Sequence, residues 1–154
     1  MNKIRLIIGA LLLLFSSCAG QQKIKKETNY KDDKFEVGQV WNYEARLGEE
    51  GSTVQIVKID KYEGQEAFIH VAVSGLEVKN PAVESGISET ISHLPFSRTS
   101  FAESITELVD AKAALSDYEE GYNEWRAAFE AEEGGVFAIS IAEAVNYIES
   151  TLNQ

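Results

Sequence analysis

The sequence predicts an α+β domain: a small antiparallel β-meander of three to five strands with about three α-helices packed on one face. Three observations carry that expectation. Apolar residues alternate with period two between Val40 and Val73, and the period changes to 3.6 from Ser97 onward. Ser-x-x-Glu pairs stand at the heads of the helical stretches. Strands first and helices afterwards is the order of an α+β fold.

The first strand is read from Val40 to Arg46, where Trp41, Tyr43 and Ala45 share one face and Asn42, Glu44 and Arg46 the other. LGEEG at residues 47–51 is a turn with a glycine near each end. Ser52 to Tyr62 is rich in β-branched residues, and Glu63-Gly64 marks the next reversal. Ala67, Ile69, Val71 and Val73 then alternate with Phe68, His70 and Ala72. Short turns between these three runs make an antiparallel meander. Leu76 to Lys79 extends the last strand or adds one before Asn80-Pro81 breaks the pattern.

In the second half, Phe101, Ile105, Leu108 and Val109 fall on one face of a first helix. Tyr118, Tyr122, Trp125 and Phe129 form an aromatic stripe on a second, and Ile141, Val145, Ile148 and Leu152 line a third. The expected capping boxes are Ser100 with Glu103, Ser116 with Glu119, and Ser140 with Glu143; Ser97 competes with Ser100 as the first start. Gly134-Gly135 ends the second helix, and Val136 to Ile139 reads as a short strand. The aromatic stripe is assigned to core, because a sheet face needs covering.

The N-terminus is a different kind of sequence. Lys3 and Arg5 precede an apolar run from Leu6 to Phe15. That run is shorter than the roughly 20 residues a spanning helix needs and fits the apolar region of a signal peptide. Residues 1–17 are therefore read as a signal, 18–33 as a polar tether and 34–154 as one globular domain. Cys18 is the single cysteine, so it has no internal disulfide partner and no second thiol for a metal site. Leu14-Phe15-Ser16-Ser17-Cys18 resembles the lipobox of bacterial lipoproteins, with Phe15 where the family prefers leucine. The resemblance implies that Cys18 is acylated, becomes the first mature residue and makes the lipid bilayer a partner. Ala19 after the cysteine implies the outer membrane, with the domain facing the periplasm.

From Asp32 onward there are 24 acidic and 8 basic residues, a net charge of −16. Such a surface repels phosphate backbones, which argues against nucleic acid, and it suits a basic protein partner. Lys23, Lys25, Lys26 and Lys31 make the tether locally basic.

Residues that could carry chemistry are few. His70 and His93 lie 23 positions apart, with no metal-ligand spacing between them, and no cofactor motif occurs. His70 reads as a half-exposed strand residue. His93 falls in ISHLPFSRTSF, where Ser97 and Arg98 stand beside a helix start that suits a small anion. The alternative for this segment is a connector whose Leu94 and Phe96 plug the core. The segments VGQVWNYEARLGEEGSTVQIVKI, HVAVSGLEVKNP, ISHLPFS and YEEGYNEWRAAFE are similar to a small group of uncharacterised bacterial proteins. That likeness implies a coherent domain and assigns no catalytic residue. The expected function is a membrane-anchored periplasmic binding or accessory module. Its alternatives are an inhibitor or immunity protein against a basic toxin or hydrolase, and an envelope enzyme using His93 or His70 with a carboxylate.

Overall fold

The computed structural model of the protein describes residues 27–154. The signal, Cys18 and the tether up to residue 26 lie outside the described residues. Five strands and three helices follow in the order β1 (Val40–Tyr43), β2 (Thr53–Lys61), β3 (Ala67–Lys79), β4 (Ile87–Ser97), α1 (Arg98–Ser104), β5 (Ile105–Asp110), α2 (Glu119–Glu130) and α3 (Ile141–Leu152). The strands form one sheet in the order β4-β3-β2-β1-β5, antiparallel at every pairing. The α+β class is as the sequence predicts. Among the described residues no helix is long and apolar enough to cross a membrane.

Successive side chains on a strand point to opposite faces, so the sheet has two coverings. On one face Val54, Ile56, Ile69, Val71, Val73, Leu94 and Phe96 pack with Phe101 of α1 and with Ile141, Ala144 and Val145 of α3. On the other face Tyr62 and Phe68 pack with Trp125 and Phe129 of α2. The expected one-sided arrangement therefore describes α1 and α3, while α2 packs on the opposite face. Phe68 and His70, which alternate with the aliphatic residues of β3, are the residues α2 covers.

Two elements differ from the expectation for physical reasons. The segment read as a connector, with His93 and Pro95, is β4 itself. Proline is tolerated there because β4 is an edge strand. The Pro95 carbonyl accepts the Phe137 N–H at 2.8 Å on the outer side, so the proline nitrogen faces outward too and no ladder bond with β3 is lost. Phe137 and Phe96 form a single parallel bridge, which is what becomes of the expected strand over residues 136–139. The first helix is also shorter than its periodicity implies. It ends at Ser104, whose Oγ donates to the Ser100 carbonyl, and Ile105 is already extended at ψ 155. Ile105, Thr106 and Val109 are β-branched, and the open edge of β1 supplies backbone partners, so residues 105–110 become β5.

Of the three expected capping boxes, Ser140 with Glu143 forms. Ser97, not Ser100, caps α1, and its Oγ accepts the Ser100 N–H at 3.1 Å. Ser116 caps nothing: its N–H and hydroxyl both donate to Gln55 Oε1. The described part of the expected tether, residues 27–33, is held to the domain. Glu27 bridges Tyr62, Thr28 N–H donates to the Lys61 carbonyl at 2.7 Å, and Asp32 is buried.

Candidate functional site

The most unusual chemistry lies under α2, and irregularities in two strands put it there. Along β2, Val54 and Ile56 face the aliphatic core, and strict alternation would send Lys58 and Asp60 after them. The register instead shifts between Ile56 and Lys58, leaving Val57 as the extra residue of a bulge. Ile59 then joins the aliphatic core, while Lys58 and Asp60 turn to the α2 face opposite His70 and Phe68. A second shift, between the pairs Val71↔Leu94 and Val73↔Ile91, keeps Leu94 and Ile91 on the aliphatic side. It leaves His93 beside Ala72, on the α2 face. Each bulge re-aims a polar side chain toward the helix.

The result is a line of ionisable groups. His70 Nδ1 and His93 Nε2 share a hydrogen bond at 3.0 Å, and their rings stack at 5.2 Å between centroids with 17° between planes. On its other side His70 Nε2 lies 3.3 Å from Asp60 Oδ2, within ion-pair range but not aligned as a hydrogen bond. The Tyr122 hydroxyl donates to the same Oδ2 at 2.7 Å, and Lys58 Nζ stands 3.2 Å from Oδ1. Trp125 closes the top with its ring 4.5 Å from that of His70. His70 is 0% exposed and Asp60 1%, so both sit where an unpaired charge is costly. Gly121 allows this closeness, since a Cβ there would fall 2.9 Å from His93 Cβ.

Burial sets the protonation states. It pushes the His93 imidazole down to about 4, and the neighbouring His70 adds to the effect. His70 is lowered too, by burial, with Asp60 acting in the opposite direction. Burial alone would raise the Asp60 carboxyl, but His70, the Tyr122 hydroxyl and Lys58 outweigh it and hold the group at about 2. At neutral pH the line reads carboxylate, neutral imidazole, neutral imidazole. Among the described residues no three such side chains converge as metal ligands. His70 spends one nitrogen on each neighbour, which makes the set a chain and not a cage.

Beyond His93 along the same strands opens a cleft of about 340 Å³. It is bordered by Ser74 of β3, Thr90 and Ser92 of β4, and Asp117, Glu120 and Gly121 at the head of α2. Residues pair in the order His70↔Pro95, Val71↔Leu94 and Ser74↔Thr90, so His93 stands between the buried pair and this opening.

The structure thus brings His70 and His93 together and leaves Ser97 and Arg98 elsewhere. Ser97 is four residues from His93 along β4, about 13 Å away. Arg98 Nε and Nη2 donate to Asp32 at 2.6 and 3.0 Å, and Nη2 also donates to Asp33 at 2.8 Å. The guanidinium is engaged in fastening residues 32–33, so the expected anion site is not assembled. His70 is fully buried where a half-exposed residue was expected, because the α2 stripe lies directly on it. Asp60 and Lys58 were not singled out by the sequence, and Tyr122 only as part of the aromatic covering; the three-residue spacing of Ile56 and Ile59 on one face is the signal that betrays the bulge delivering the first two.

Compared with protein families, with curated proteins and with solved structures, the chain matches none.

Proposed function

We propose that this chain is a lipid-anchored, periplasm-facing binding module, held in the envelope through Cys18, whose working surface is the cleft beside α2. One observation supports that reading above the others. The cleft shares Gly121 with the packing around the Asp60–His70–His93 chain, and its own border carries hydroxyls and the carboxylates of Asp117 and Glu120. Hydroxyls and carboxylates receive N–H donors, so the ligand suited to it is a basic one, such as a lysine- or arginine-bearing loop of a protein partner. The acidity of the whole domain would steer such a partner toward it. An inhibitor or immunity protein acting on a basic hydrolase is the specific form this takes.

The test compares capture by the full chain and by a variant carrying Asp117→Lys and Glu120→Lys, both in detergent-solubilised envelope. The reading expects one basic protein retained by the first, released by salt and lost by the second. Equal retention by both removes the cleft from the account. The anchor is tested separately: Cys18→Ser should leave the protein out of the membrane fraction, and a variant that still sediments with membranes contradicts acylation at this residue.

A second reading has one observation in its favour. The order carboxylate, imidazole, imidazole is one in which Asp60 and His70 could orient His93 as a general base. It is tested by turnover of ester, amide, glycoside and phosphate panels by the chain and by His93→Ala. Turnover lost with His93→Ala would make the protein an enzyme.

A further inference from the structure

The hydrogen-bonded histidine pair has one self-consistent arrangement of protons. Asp60 is ionised, so a bare lone pair on His70 Nε2 would face a carboxylate at 3.3 Å; that nitrogen therefore carries hydrogen. His70 Nδ1 is then the acceptor of the 3.0 Å bond and His93 Nε2 its donor. Among the described residues this leaves His93 Nδ1, on the side facing Gly121 of α2, as the only ring nitrogen of the pair with a free lone pair. The chain is wired in one direction, from His93 toward the buried carboxylate.

We infer that Asp60, His70 and His93 form a single-proton relay, in which a proton taken up at His93 is handed to His70 and held there opposite Asp60. An N–H bond forms at His93 Nδ1. The His93 Nε2–H bond then breaks as His70 Nδ1–H forms. His93 ends neutral in its other tautomer, and His70 ends as an imidazolium with Nε2–H toward Asp60. The positive charge comes to rest beside a carboxylate instead of at the partly exposed ring. A second proton is opposed, because it would stack two cations 5.2 Å apart.

The groups facing the pair act unequally. From β2, Asp60 favours the charged state and Lys58 opposes it. From α2, Tyr122 donates to Asp60 and so shares that carboxylate with His70. Asp117 and Glu120 border the cleft beside Gly121, the residue that His93 packs against. Burial places the uptake on the acid side of an ordinary histidine. The inference stands whatever the cleft binds.

Histidine-selective ¹⁵N labelling of the full chain in detergent micelles tests it. At pH 8 both rings should carry hydrogen on Nε2. On acidification both should change in one step with a common midpoint, His70 gaining hydrogen on Nδ1 as His93 loses it from Nε2. Trp125 emission in a Trp41→Phe background should fall with that same midpoint. His93→Gln keeps a polar group but cannot relay, and should move the His70 midpoint by about one pH unit or more. Hydrogen on His70 Nδ1 at pH 8, two separate steps with the charge remaining on His93, or an unmoved His70 midpoint in His93→Gln would each overturn the relay. If His93→Gln does not fold, the tautomers of the unmodified chain decide alone.

Discussion

The two faces of the sheet are built from the same strands but to opposite specifications. Under α1 and α3, Val54, Ile56, Ile69, Val71 and Val73 meet Phe101, Ile141 and Val145 in a mainly aliphatic layer whose buried hydroxyls are hydrogen-bonded: that of Tyr43 with Ser52, and Ser104 Oγ as acceptor of the Ile141 N–H. Under α2, Asp60, His70, Tyr62 and Tyr122 are buried just as deeply but carry ionisable groups. Among the described residues His70 Nε2 and the Tyr62 hydroxyl have no hydrogen-bond partner, and Asp60 Oδ1 has the Lys58 ammonium at 3.2 Å as an ion-pair partner but no hydrogen bond. Close-packed hydrocarbon is the cheaper way to cover a sheet. The difference teaches that the first face holds the fold together, while the second gives up stability for a polar device placed next to a cleft.

Breaking the aliphatic face should have the largest effect. Ile56→Ala removes a fully buried side chain and is expected to cost about 2–5 kcal/mol in urea unfolding, with little dependence on pH. On the α2 face, Asp60→Ala strands the Tyr122 hydroxyl and His70. It should cost about 1–3 kcal/mol, and the loss should change with pH because histidines are involved. Equal pH dependence for the two variants would erase the proposed distinction between the faces.

Gly121→Ala sharpens the same point. The added Cβ would sit 2.9 Å from His93 Cβ, so α2 must shift at a cost of about 1–3 kcal/mol. If the clash is the cause, the loss should shrink in the double variant with His93→Gly, which removes the clashing Cβ, measured as a double-mutant cycle. Strict additivity would mean that α2 does not rest on His93.

The smallest expected effect is a pH dependence with a definite sign. The folded protein keeps His93 neutral down to about 4, whereas the unfolded chain takes up a proton near 6.5. Unfolding therefore binds protons in that window. Stability should be complete above roughly pH 6.5 and fall as pH drops toward 4, with His70 contributing in the same direction. Asp60 acts separately, its contribution being lost only as pH falls through about 2. Thermal unfolding between pH 8 and 4 checks this, and His93→Gln should flatten the curve.

How much of this was legible follows from how each feature is encoded. The meander was readable from its β-branched runs and short turns, and α2 and α3 from apolar periods that run unbroken. So was the aromatic stripe as a covering, since Trp125 and Phe129 have Tyr62 and Phe68 to cover. The strand β4 was hidden by Pro95 and by a polar first half whose side chains are mostly exposed, neither of which marks an edge strand as a strand. The early end of α1 was hidden because Leu108 and Val109 suit a helical face as well as an edge strand. The site was half visible: both histidines stood out, but their contact depends on two bulges that shift facing by one residue. Asp60 was lost among abundant carboxylates for the same reason.

The proposed partner site lies on the α2 face and not on the aliphatic one. A photo-crosslinking residue at Thr90, on the cleft, and another at Tyr147, exposed on α3, compare the two directly in the envelope. The account predicts one discrete basic adduct from Thr90 and none of that size from Tyr147. The same adduct from both positions, or from Tyr147 alone, would contradict it.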